Sequence, residues 1–385
     1  MRKEKSMFTR SARSVRFSLA FLLLTAIRVG PVHGISPPWR PVARFELRDA
    51  TGALSERLDH MARAKEPGFA VMLLRDGKPV LTKFSGVESL ETGVPIGAET
   101  RFYIASLAKT FTATAVLMLY ERGQLRLEDR LARWVDDLPA CLGEVRIHHL
   151  LDHTSGIPDY FEAFGDQVSG KTNADVLAFV RQIDALEFEP GVDYAYSNTG
   201  YVLLAEVVER VSGKPYGVFL DENIFTPLGM THTVVVRKGT AEFGHRARGY
   251  RKDGDRFVPD DYCDLYTVGS GGVYSTIGDL ARWYGAVVES RLLKPATAAI
   301  QFYPPVTLGG GRSYLGMGWS DETFGPKTPA LDGLRSYGSF GMLRGFRSMI
   351  QLFPDHGLAW IVLSNTGEMS MLGPEVVGLF FRRVP

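Results

Sequence analysis

The sequence predicts a mixed α+β fold, and three observations carry that prediction. Two apolar runs, Gly68 to Arg75 and Lys78 to Phe84, are joined by Asp76-Gly77 and read as a β-hairpin. Segments with helical spacing fill the middle of the chain. Near the C-terminus the runs Arg335 to Gly341, Phe346 to Phe353 and Leu358 to Ser364 alternate with turns and read as an antiparallel meander.

The chain has 385 residues, 45% of them hydrophobic and 23% charged, enough for one large core or two smaller ones. Its start is unusual. Arg2, Lys3, Lys5, Arg10, Arg13 and Arg16 precede an apolar run from Phe17 to Ile27, then small and turn residues to Gly34, the pattern of a secretory signal. That run of 11 residues is well short of the roughly 20 needed to span a bilayer, so no permanent membrane span is expected. An uncleaved anchor is the other reading of the same segment. Removing residues 1–34 takes away seven basic residues and one acidic one, leaving 37 basic against 42 acidic. A mildly acidic mature chain gives no support for a nucleic-acid partner. Cys141 and Cys263 could pair in an exported protein or stay as thiols, and neither has metal-type spacing.

Residues 35–50 contain three prolines and read as a linker. Leu54 to Ala64 has helical spacing, and the hairpin follows it. Next comes Tyr103-Ile104-Ala105-Ser106-Leu107-Ala108-Lys109-Thr110, where a serine is followed three residues later by a lysine. The segment Phe111 to Tyr120 after it lacks Pro and Gly, is apolar nearly all round, and stops at Gly123, which reads as a buried helix. The i, i+3 spacing sets Ser106 and the Lys109 amine on one face. A lysine facing an apolar interior is costly unless it has a partner or a task. The bland alternative is a helix N-cap serine beside a surface lysine.

Ile147 to Gly156 looks like a short helix ending in a polar turn. His149 and His153, four apart, lack the glutamate of H-E-x-x-H and a third ligand nearby, so no metal is expected there. Asn173 to Val180 is a further helix. Tyr196 and Asn198 lie in a loop at the entrance of another, whose face is Leu204, Val207, Val208 and Val211 and which Ser212-Gly213 closes. Met230 to Arg237 is strand-like, and Lys252 to Asp264 is charged and turn-rich. Gly269-Ser270-Gly271-Gly272 lacks the G-K-[ST] ending of a phosphate loop and points to close backbone packing instead. Ser275-Thr276 caps the helix that follows. Leu315 to Trp319 is a short apolar run, and Met371 to Arg383 reads as a closing helix with Pro374 near its start. No cofactor is indicated.

Three pieces stand in order: Ser106-x-x-Lys109, Tyr196-Ser197-Asn198, and Ser339-Phe340-Gly341 with Met342-Leu343-Arg344-Gly345-Phe346 after it. With His153-Thr154-Ser155-Gly156 and Pro227-Leu228-Gly229-Met230, they resemble the serine β-lactamase and penicillin-binding-protein superfamily, within its class C β-lactamase, DD-peptidase and family VIII esterase branch. The resemblance covers about residues 45–383. It implies an α/β sandwich, an antiparallel sheet flanked by helices, made from residues 51–106 and 266–385, with a mostly helical domain at 107–265 inserted after the nucleophile. It also implies Ser106 as nucleophile, with Lys109 and Tyr196 sharing its proton. A cationic lysine could lower the tyrosine pKa enough for a phenolate base, and which of the two is the base stays open. Asn198 would hold Lys109 and the substrate. Ser339, Gly341, Met342 and Arg344 would line the substrate, the Met342 N–H completing an oxyanion hole with that of Ser106.

The third motif departs from the superfamily's usual K-T-G, K-S-G or H-x-G. Its cation and following hydroxyl, which bind a substrate carboxylate, are missing from Ser339-Phe340-Gly341. The sequence therefore leans to an exported serine esterase or amidase on small uncharged acyl substrates, with Arg344 or Arg347 as candidates to resupply charge. A D-Ala-D-Ala carboxypeptidase or β-lactamase, and a non-enzymatic binding protein, are the alternatives. A G-x-S-x-G hydrolase is disfavoured because the chain has no such elbow.

Overall fold

The computed structural model describes residues 44–261, 265–302, 315–367 and 373–384. The signal-like segment 1–34, most of the linker and Cys263 lie outside them. Strand β1 (Phe45–Leu47) and helix α1 (Thr51–Met61) lead into the hairpin β2 (Phe69–Arg75) and β3 (Lys78–Ser85). Strand β4 (Phe102–Tyr103) enters a 3-10 turn, Ala105–Ala108, that runs directly into α2 (Lys109–Glu121). Then come α3 (Ile147–Leu151), α4 (Tyr160–Phe164), α5 (Asn173–Val180), α6 (Asn198–Ser212), α7 (Tyr216–Leu220) and α8 (Thr226–Leu228). Short strands β5 (Val234–Val235), β6 (Tyr250–Asp253), β7 (Arg256–Pro259) and β8 (Val273–Ser275) follow, then α9 (Ile277–Val288) and α10 (Pro295–Ile300). The C-terminal part holds β9 (Leu315–Gly316), β10 (Trp319–Asp321), β11 (Tyr337–Leu343), β12 (Phe346–Phe353), β13 (Leu358–Ser364), α11 (Pro374–Phe380) and β14 (Phe381–Arg383).

The main sheet has seven strands in the order β3-β2-β13-β12-β11-β10-β9. All its pairs are antiparallel, so the N-terminal hairpin and the C-terminal meander join in one sheet through β2 and β13, with Met72 opposite Ile361. The hairpin turn is tight because Asp76 and Gly77 both take positive φ, 50° and 74°. Side chains of β2 and β13 alternate between two cores. Val71, Leu73, Trp360 and Val362 pack with Leu54 and Leu58 of α1 and with Val376, Val377 and Phe380 of α11. Ala70, Met72, Leu74, Ile361 and Leu363 belong to the larger core on the other face, which includes Phe111 and Trp283. Burial of both faces explains why these strands read as unbroken apolar runs.

Several boundaries differ from the sequence reading for local reasons. Met230 to Arg237 contributes only the two-residue strand β5, and the charged stretch after Tyr250 forms the β6–β7 hairpin around Gly254 and Asp255. The closing helix ends at Phe380, where the chain turns extended and β14 pairs with β1. Cys141 is a free thiol that donates to the Ile183 carbonyl at 3.4 Å.

Candidate active site

Ser106 stands on a sharp strand-to-helix bend. Ala105 before it takes φ +47°, a left-handed backbone costing an L-residue on the order of 1 kcal/mol. Neighbouring bonds hold the bend in place. The Ile104 N–H donates to the Val273 carbonyl at 3.0 Å, and Ser348 Oγ on β12 donates to the Ile104 carbonyl at 2.6 Å. Gly341 on β11 faces the same carbonyl so closely that a Cβ there would lie 2.1 Å from it. Strand β11 can therefore lie flush against the serine turn only with glycine at this position.

Lys109 opens α2, and its side chain is buried. Its ammonium spends all three protons: Nζ donates to Ser106 Oγ at 3.2 Å, to Asn198 Oδ1 at 2.8 Å and to the Ser270 carbonyl at 2.8 Å. Burial is the leading influence on its pKa and brings it down to about 7, against the opposing pull of the Asp159 carboxylate. The Tyr196 hydroxyl lies 2.8 Å from Ser106 Oγ. Burial around that hydroxyl pushes its pKa up to about 12, opposed by the Ser106 hydrogen bond. The tyrosine thus moves away from the phenolate that the sequence left open, while the lysine moves toward neutrality.

Asn198, the first residue of α6, turns its amide oxygen to Lys109 because Asp159 holds the other side. Asp159 Oδ2 accepts the Asn198 N–H at 2.5 Å and Nδ2 at 3.1 Å, while Oδ1 caps α4 through the Phe161 N–H at 2.8 Å. The Tyr196 ring is backed by His153, stacked with centroids 4.6 Å apart. His153 Nδ1 accepts the Ser197 N–H at 3.0 Å, and burial, with Lys109 nearby, drops its pKa to about 3. His149 Nδ1 accepts the Arg146 N–H at 3.1 Å, so one ring nitrogen of each histidine already serves a backbone donor.

These groups open on a cavity of about 170 Å³ whose lining includes Ser106, Tyr196, Asn198, Tyr160, Phe161 and Met342. None of its described lining residues is cationic. Ser106, Lys109, Tyr196 and Asn198 therefore come together, and Met342 joins them at the rim. Ser339 and Arg344 do not line the cavity. Ser339 is buried on β11, its Oγ without a hydrogen-bond partner among the described residues, and Arg344 sits at the β11–β12 turn, 3.8 Å from Asp166 and 3.7 Å from Asp260. Asp159 and the Ser270 carbonyl were not singled out from sequence. An aspartate before a short helix is an ordinary cap, and a carbonyl carries no side-chain signal.

A serine within hydrogen-bond reach of a buried lysine, at the start of a helix packed beside an antiparallel sheet, fits a serine hydrolase. The chain belongs to the beta-lactamase family, whose model, described as Beta-lactamase, matches residues 57–374. Penicillin-binding protein 4* of Bacillus subtilis (strain 168) is 34% identical over 316 residues, 77% of this chain and 68% of that protein. The octameric penicillin-binding protein homologue from Pyrococcus abyssi superposes with a TM-score of 0.73 at 27% identity, covering 86% of this chain and 76% of its own. The D-amino acid amidase from Ochrobactrum anthropi SV3, solved with L-phenylalanine amide, superposes with a TM-score of 0.68 at 26% identity, covering 86% and 97%.

Proposed function

We propose that this chain is an exported serine acyl hydrolase that works through an acyl-enzyme on Ser106 and acts on small uncharged esters or amides. The observation that carries the reading is the buried Lys109, poised near neutrality within 3.2 Å of Ser106 Oγ. Neutral Lys109 takes the Ser106 proton as Oγ attacks the acyl carbonyl. The oxyanion faces the backbone N–H groups of Ser106 and Met342. Tyr196, beside Oγ, hands its proton to the leaving group and recovers one from the Lys109 ammonium, so the proton taken from Ser106 ends on the leaving group; water then adds by the reverse route, its proton returning to Ser106. Asn198 holds Lys109 and borders the substrate, while Asp159 orients Asn198.

Two features favour an uncharged substrate. The described lining of the cavity lacks a cation, and Arg344 already lies beside two carboxylates. The amidase neighbour lends support to small amides. A second reading, a peptidase or β-lactamase, draws support from the penicillin-binding names of the relatives. Export is inferred from the basic and apolar pattern of residues 1–34. Intact-protein mass spectrometry after exposure to activated esters, a fluorophosphonate and a β-lactam separates the cases. Ester and fluorophosphonate adducts without a β-lactam adduct support the esterase or amidase. A stable β-lactam adduct favours the second reading, and no adduct of any kind sinks both.

A further inference from the structure

The cavity lining carries more hydroxyl protons than the described residues accept. Tyr103, Tyr160, Thr267 and Ser270 all line it, and each is at most 4% exposed. The Tyr160 hydroxyl lies 2.8 Å from Thr267 Oγ1 and 3.4 Å from Ser270 Oγ. Three hydroxyls linked by two contacts use two of their three protons, whichever way the bonds run. One proton is left without an acceptor among the described residues. The Tyr103 oxygen accepts the Gly272 N–H at 2.9 Å, and its own proton meets no acceptor among the described residues. Tyr103 and that chain line the same cavity, and the Tyr103 oxygen lies 2.7 Å from where a Cβ on Gly271, the residue after Ser270, would stand. Burial raises the pKa of both tyrosines, Tyr103 to about 12, so each stays a protonated donor.

Buried donors without acceptors are costly, and a site built with them selects a ligand that supplies the acceptor. A carboxylate fits poorly, because no described lining residue is cationic and desolvating a charge is expensive. A neutral carbonyl fits well. A cavity of about 170 Å³ is on the scale of one small acyl group. The acyl group is also the part that stays bonded to Ser106 through both half-reactions.

We propose that Tyr103 and the Tyr160-Thr267-Ser270 chain form a subsite for a second, uncharged carbonyl on the acyl chain of the substrate. This rests on the acyl-hydrolase reading above. The test compares kcat/KM for 4-nitrophenyl 4-oxopentanoate with that for its near-isostere, 4-nitrophenyl 4-methylpentanoate, each divided by its rate of alkaline hydrolysis. The native enzyme is expected to prefer the oxo ester. Tyr103→Phe, which removes one of the surplus protons, should cut that preference by about fivefold to tenfold, the effect of one lost neutral hydrogen bond. Because the readout is a ratio within one preparation, a partly folded variant does not disturb it. A corrected native ratio of one or less, or a Tyr103→Phe variant that keeps the native ratio while a fluorophosphonate still labels Ser106, overturns the subsite alone. Failure of every ester and of the fluorophosphonate to modify Ser106 overturns the acyl-hydrolase reading beneath it.

Discussion

Replacing Asp159 by asparagine tests how the protein sets the charge of Lys109. The aspartate reaches the lysine through one amide: 3.1 Å from its Oδ2 to Asn198 Nδ2, and 2.8 Å from Asn198 Oδ1 to Nζ. Across that amide the two charges stand roughly 7 Å apart, and at an effective dielectric of about 20 they attract by about 2 kcal/mol. Removing the negative charge disfavours the ammonium, so the lysine pKa falls and the neutral base persists to lower pH. The acid limb of kcat/KM, expected near pH 7 in the native enzyme, should move down by about one pH unit or slightly more. His153, Tyr196 and Tyr201, whose rings lie around the ammonium, stay neutral across that range, His153 because its pKa is pushed to about 3, Tyr196 and Tyr201 because burial raises theirs. Asparagine keeps one acceptor oxygen for the two helix starts, so the cost in stability should be about 1 kcal/mol. The assay is a pH–rate profile from pH 5 to 9 on an activated ester, alongside thermal unfolding. A purely structural role would lower the plateau and the Tm while leaving the limb in place. An unmoved limb, or one shifted upward, refutes the electrostatic argument.

Two further outcomes follow from the same geometry. Tyr196→Phe removes the hydroxyl 2.8 Å from Ser106 Oγ and should lower kcat by about a hundredfold or more with little change in KM; a KM effect alone would assign Tyr196 to binding. Gly341→Ala places a methyl 2.1 Å from the Ile104 carbonyl, so β11 must separate from the serine turn. We expect a loss of about 2 to 4 kcal/mol in urea unfolding together with loss of hydrolysis, whereas native-like stability would mean that the turn yields easily.

Much of this was legible in the residues, and the exceptions have physical causes. The hairpin and the last two meander strands stood out because both faces of β2 and β13 are buried and their turns carry Asp76-Gly77 and Gly357. The Asn173 helix was readable from its apolar spacing, and its Thr172 capping box fixes its start. The serine, lysine, tyrosine and asparagine were found by order along the chain. Their cooperation depends on contacts more than 80 residues apart, such as Lys109 to Asn198 and to the Ser270 carbonyl, which no local pattern encodes. The direction in which each pKa moves was likewise hidden, because burial is a property of the packed core. Strand β5 shrank for a related reason: apolar β-branched residues suit a strand, but only two of them find a partner, on β8.

The account stands on Ser106 as the atom that carries the acyl group. Peptide mapping by mass spectrometry, after brief exposure to a slow-turnover activated ester, locates that group directly. We predict one acyl adduct, on Ser106, with both adduct and turnover abolished in Ser106→Ala. An adduct on any other residue, or full hydrolysis by the Ser106→Ala protein, would contradict it.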